Sequence, residues 1–168
     1  MVMPPRLRKA ALILHVGTSV GWLGAVAAFL ILAMAAATTQ DEWMTRAAYA
    51  SMETIGRLAL VPLGIASLVT GIIQSLGTPW GLIRHYWVIV KLLTTVLATV
   101  VLLLYMETLT LLAGAARNPA APTGPGELLP NASPILHAGA ALIVLGVALG
   151  LSIYKPRGLT GFGIPARR

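Results

Sequence analysis

Residues Trp87–Leu112 read WVIVKLLTTVLATVVLLLYMETLTLL, an apolar run carrying only Lys91 and Glu107 as charges. An α-helix needs about 20 mostly apolar residues to cross a bilayer core, and this stretch supplies them. Three more segments do the same: Ala10–Ala35, Thr54–Leu76 and Pro134–Tyr154. With 57% hydrophobic and 10% charged residues in 168, little chain remains for a soluble domain. The sequence therefore predicts an all-α integral membrane protein, an antiparallel four-helix bundle forming a single transmembrane domain over residues 1–168.

Charge fixes the expected orientation. Arg6, Arg8 and Lys9 precede the first span, Arg84 lies between the second and third, and Lys155, Arg157, Arg167 and Arg168 follow the fourth. All fall on one side, so the positive-inside rule predicts both termini in the cytoplasm. The lipid bilayer is thus the expected partner. The net charge of +7 is accounted for by this topology and by anionic headgroups, so nucleic-acid binding is not expected. The N-terminal basic residues resemble a signal peptide, but the apolar stretch after them exceeds the ~7–15 residues of a leader, and it is read as a retained span. There is no cysteine, which removes disulfides and thiolate chemistry.

The turn Gly77–Gly81 is rich in helix breakers and leads into Tyr86 and Trp87, suited to the inner interface. The outer loop, residues 114–133, holds Pro119, Pro122, Pro125 and Pro130 and is expected to be irregular and mobile. Thr38–Met52 is expected to hold a short interfacial helix, and Pro62 to kink the second span and free a carbonyl one turn earlier. Gly17/Gly21 and Gly146/Gly150 are small-xxx-small pairs that permit close helix approach, within one chain or between copies. Spans one and four share a Leu-His-x-Gly pattern, at Leu14–Gly17 and Leu136–Gly139, which reads as a repeat or as coincidence.

Polar and ionisable residues inside a span are functional candidates because placing them there is costly. They sort into two layers. His15, Gln74, His85 and Lys91 lie toward the inner side, while Glu53, Arg57, Glu107 and His137 lie toward the outer side. The outer four read first as an ion-pair network, with Glu53 and Arg57 one turn apart. The alternative is a proton, ligand or Cu(I) site built on His137 with Met34, Met44, Met52 and above all Met106. His15, Ser19 and Trp22 share one helix face. His15 is read either as a hydrogen-bonding residue reaching Gln74 or Thr70, or as an axial ligand to a single haem b. His15 and His137 sit at opposite depths, on the order of 20 Å apart at 1.5 Å per residue, so they do not share an iron. Lys91 lies about a turn inside and is expected to snorkel to the inner interface.

The run Leu14–Gly24, LHVGTSVGWLG, resembles the H-x6-W-x-G motif of copper-resistance D-type membrane proteins. Lys91 and its apolar run after Gly81 and Tyr86 are similar to that family's helix beginning with a lysine. The stretch from Leu136-His137-Ala138-Gly139 to Tyr154-Lys155-Pro156-Arg157-Gly158 is similar to the last span of small four-span actinobacterial proteins filed under a domain of unknown function. The resemblance implies a four-helix relative of copper-resistance D and cytochrome-b-like bundles, with His15 and Trp22 as the positions that matter. It implies no activity. Three functions stand open: handling of copper, protons or a small ligand; a single-haem redox protein using His15; and an accessory subunit, homo-oligomeric or within a larger membrane complex. Hydrolysis is disfavoured, since no Ser-His-acid or metal-ligand spacing appears.

Overall fold

The structure, a computed structural model, describes residues 3–124 and 127–163; Pro125, Arg167 and Arg168 lie outside the described residues. Four long helices form where the apolar segments stand: α1 (Pro5–Thr38), α2 (Glu42–Leu76), α3 (Tyr86–Arg117) and α4 (Ser133–Tyr154). The shortest has 22 residues, roughly 33 Å at 1.5 Å per residue, enough for a bilayer core of ~30 Å. All four are long and apolar enough to cross a membrane, as in a multi-pass membrane protein.

Hydrogen bonds at the two ends fix the directions. At one end Met3 N donates to Gly77 O at 3.0 Å, and Tyr86 N to Gly158 O at 3.4 Å. At the other, Arg46 Nη1 donates to Asn118 O at 2.7 Å and Asn131 N to Tyr49 Oη at 2.7 Å. Successive helices are therefore antiparallel. The segments before α1 and after α4 share one end, called here the terminal end; the opposite one is the distal end.

The second helix begins at Glu42, not at Thr54, and the short helix expected over Thr38–Met52 is its first turns. Hydropathy stops at Thr54 because Thr45, Arg46, Ser51 and Glu53 break the apolar run. The helix continues because those groups are served. Asp41 Oδ1 caps Trp43 N at 2.9 Å, and Arg46 pairs with Glu42 one turn away at 2.5 Å. Further along, Gly56–Leu60 forms a π turn in which Val61 N–H bonds to Gly56 O. It lies immediately before Pro62, whose missing N–H and bulky ring the wider turn absorbs.

The core concentrates in the distal half, around Trp22, Phe29, Tyr49, Leu109 and Leu112. Large apolar side chains such as Leu104, Leu111 and Ile143 instead point outward, the distribution a hydrocarbon solvent permits. Glycines on α2 set its separation from α1. The indole of Trp22 lies over Gly64, where an added Cβ would stand 3.1 Å from it, and His15 lies over Gly71 at 3.0 Å. Both pairs are seven residues apart, so they recur every two turns along antiparallel helices. Of the small-xxx-small pairs, Gly21 meets Leu63, whereas Gly17, Gly146 and Gly150 have open space beside them. The loop after α3 is irregular and anchored: Leu129 is buried, and Arg46 Nη2 donates to Ala121 O at 2.6 Å.

Candidate functional site

Toward the terminal end the four helices spread apart around a cavity of about 600 Å³. His15 and Lys91 on its wall belong to a hydrogen-bonded chain drawn from three helices. Lys91 Nζ of α3 lies 3.0 Å from His15 Nε2 of α1, and His15 Nδ1 lies 3.2 Å from Thr70 Oγ1 of α2. Thr70 Oγ1 donates to Ala66 O at 2.6 Å. A lysine ammonium only donates, so His15 Nε2 accepts and its Nδ1 carries the proton given to Thr70. The network thus assigns the tautomer and holds the imidazole, itself buried, in one orientation. Beside it Ser19 Oγ and Ser67 Oγ stand 2.8 Å apart, extending the polar wall one turn deeper.

Two features leave this wall incomplete. Among the described residues the Lys91 amine makes one hydrogen bond, to His15, though an ammonium has three donors. The amide oxygen of Gln74, also lining the cavity, is buried without a partner. The mouth carries Arg8, Lys9 and Lys155 together with Trp80 and Trp87. Lys155 Nζ lies 5.5 Å from the Trp80 ring centre, a cation–π distance. Among the described residues no acidic side chain lines the cavity, and all five acidic side chains of the chain, Asp41, Glu42, Glu53, Glu107 and Glu127, belong to the distal half. The α2–α3 turn under the mouth is strapped by the segment after α4: Thr160 N donates to Arg84 O at 3.0 Å and its Oγ1 to Ile83 O at 2.5 Å.

Several sequence-derived assignments change. Lys91 does not snorkel outward; it turns inward onto His15. Trp22 is a buried core residue against Gly64 and does not line the cavity, so His15 and Trp22 do not form one binding face. A haem on His15 does not fit, because Lys91 occupies the Nε2 side and Thr70 the Nδ1 side. His85 stands at the turn, its Nδ1 2.8 Å from Trp80 O.

At the distal end the expected four-membered network is a different one. Glu53, nearly buried, is paired with Arg57 at 3.0 Å and with Arg117 on the last turn of α3. Arg57 Nη2 also donates to Thr110 Oγ1 at 2.9 Å. Glu107 and His137 are not members. Glu107 is exposed and unpaired among the described residues, while the His137 ring stacks on Tyr105 at 3.9 Å and its Nδ1 lies 2.9 Å from Ser133 O. Of the suggested copper donors, Met106 packs its sulfur toward Gly56 of α2, while the His137 ring is taken up by the stack on Tyr105. Among the described residues no three His, Cys, Asp or Glu side chains converge on a metal position.

Sequence reasoning missed Ser67, which carries no pattern of its own, and Arg117, whose signal was its position on the last helical turn. Comparison with family models, with curated proteins and with solved structures finds no match.

Proposed function

We propose that this chain is a small ligand-handling protein of a bacterial inner membrane, with both ends in the cytoplasm, whose cavity takes up an amphipathic anion. One observation carries the reading: a cationic cavity inside the apolar zone with no carboxylate to balance it. A lysine within a span is costly unless its charge is met. Among the described residues, Glu53 in the distal half has its counter-ions in the chain, and Lys91 in the terminal half has none. An anionic group at Lys91 would use the ammonium donors left over by His15. An N–H or O–H on the same ligand would serve the Gln74 oxygen. Its apolar body would lie along Leu12, Val16 and Leu149, which line the cavity. A volume of about 600 Å³ falls in the ~300–1,000 Å³ range of small-molecule sites. The cations and tryptophans at the mouth suit an entrance at the cytoplasmic headgroup level.

The anion is a phosphate or a carboxylate, supplied by a lipid headgroup or by a soluble amphiphile. The test is thermal unfolding of the protein in neutral detergent with decyl phosphate, decanoate or decanol. A ligand at about 100 times its Kd stabilises by ~2.7 kcal/mol, so the anions raise Tm by several degrees while decanol does not. Lys91→Met removes the difference. If anions and decanol shift Tm equally, or Lys91→Met keeps the anion effect, the reading fails. Native mass spectrometry from nanodiscs separates the sources: retention of phosphatidylglycerol over phosphatidylcholine indicates a lipid, and retention of neither with a decanoate response indicates a soluble ligand.

A further inference from the structure

We propose that the groove between α2 and α3 at the distal half is the seat of a second copy of this chain, paired through Glu107 and Arg57. The groove has a volume of about 430 Å³ and is lined by Arg57, Val61, Leu103, Met106, Glu107 and Thr110. It opens on the outer surface of the bundle, where the neighbouring exposed residues, Leu103, Leu104 and Leu111, are those of a lipid-facing helix. A carboxylate on such a face is expensive, and among the described residues Glu107 has no hydrogen bond or ion pair to offset the cost. Arg57 is the complementary half. Its Nε and Nη2 are used by Glu53 and Thr110, but its Nη1 has no partner among the described residues, and its side chain is 58% exposed. The π turn at Gly56–Leu60 contains Arg57, so the feature that accommodates Pro62 also sets the guanidinium on this face.

The levels of the two charges decide which partner fits. The Arg57 guanidinium is held at Thr110, three residues from Glu107 on α3, or about 4.5 Å along the helix axis. Both charges therefore stand at nearly the same depth on one face. Two copies with the same orientation in a membrane are related by a two-fold axis parallel to the helices, which leaves every residue at its own depth. Such an isologous contact requires a surface complementary to itself. A patch holding one cation and one anion at one level meets that condition: Glu107 of each copy reaches Arg57 of the other, and both pairs form at once. The α4 surface with Gly146 and Gly150 offers the competing contact, without charge.

The chain has no cysteine, so single cysteines report proximity against a clean background. Leu103→Cys, in the groove and one turn from Glu107, is treated in native membranes with a short bis-maleimide and should give a dimer. Ile143→Cys, on the exposed side of α4, should not. Adding Glu107→Gln to Leu103→Cys should lower dimer affinity about tenfold, the factor that 1.4 kcal/mol represents. Charge reversal then tests pairing between chains. Differently tagged Glu107→Lys and Arg57→Glu chains should each lose the homodimer and form the heterodimer when co-expressed. Cross-linking at Ile143→Cys but not at Leu103→Cys, capture by Leu103→Cys of another protein only, or a yield indifferent to Glu107→Gln would each overturn the proposal. The maleimide experiment alone decides it if the Arg57→Glu chain does not accumulate.

Discussion

Replacing Gly71 by alanine sets two ordinary effects against each other, and the geometry says which one wins. In a helix interior Gly→Ala is favourable by about 0.8–1 kcal/mol. At Gly71 the new methyl would stand 3.0 Å from His15 Cε1 and 3.5 Å from Nδ1. The imidazole must therefore move by a few tenths of an ångström, and it is tethered on both sides, at 3.2 Å to Thr70 and 3.0 Å to Lys91. A shift away from α2 lengthens the Thr70 bond beyond a useful distance and misaligns the Lys91 bond. Interhelical hydrogen bonds in membranes contribute ~0.6 kcal/mol on average and up to ~1.7. Losing both costs about 1–3 kcal/mol, more than the helix gains. Gly17 supplies the control, since nothing lies within 4 Å of its added Cβ, and Gly17→Ala should show the propensity gain alone. Thermal unfolding in detergent should place Gly71→Ala below Gly17→Ala by several degrees, at roughly 2–4 °C per kcal/mol for a chain of this size. The contrast should vanish in a His15→Ala background, where the methyl has room. Equal Tm values for the two glycine variants would refute the tethered histidine.

Three further outcomes follow from other contacts. Glu53 is nearly buried while Arg57 and Arg117 are more than half exposed, so the pairs should respond asymmetrically. Glu53→Gln should cost about 1–2 kcal/mol, but Arg57→Ala with Arg117→Ala should cost about 3–5, because it strands a buried carboxylate; comparable losses in chemical unfolding would contradict this. Tyr49→Phe leaves Asn131 N, now 2.7 Å from the hydroxyl, without its partner at a cost of about 1–3 kcal/mol. Limited proteolysis within Asn118–Ala132 should accelerate, and an unchanged cleavage rate would show that Tyr49 does not anchor the loop. Thr160→Val removes the bond to Ile83 O, worth about 1 kcal/mol. Amide exchange at Tyr86, whose N–H bonds to Gly158 O on the same strap, should then rise roughly fivefold; exchange equal to wild type would mean the strap is held elsewhere.

Hydropathy made the four helices legible, because length and apolarity are summed locally and need no knowledge of neighbours. It failed at Glu42–Glu53, where polar side chains interrupt the apolar run yet are satisfied by partners far away in sequence, as Arg46 is by Ala121 O and Glu53 by Arg117. It also could not orient the helices about their own axes. A helix apolar on every side carries no rotational signal, so Lys91 read as a snorkelling residue and Glu107 as a network member. In the structure they face inward and outward respectively. The phase was nevertheless written in the glycines. Gly64 and Gly71 on α2 repeat the seven-residue spacing of His15 and Trp22 on α1, and each small residue seats one of the large ones. Pairing small and large residues at equal spacing across antiparallel segments is a signal that composition and depth alone discard.

The same spacing explains why the two halves of the bundle differ in character. Trp22 on Gly64 closes the α1–α2 seam within the core, and Phe29, Leu109 and Leu112 fill the distal half around it. One register further along, the large residue is the imidazole of His15 instead of the indole of Trp22. It fills the seat at Gly71 but brings two nitrogens, and these must be met in a region poor in water. Thr70 meets one. Lys91 meets the other and introduces a charge that no carboxylate in that half neutralises. At the distal end the buried carboxylate of Glu53 is enclosed by two arginines, a closed pairing of the buried group that holds helices together. A polar group placed at a packing position for structural reasons would be expected to end in such a closed pair. That His15 ends instead in an open cation beside a cavity makes the terminal half the place where a ligand would complete the structure.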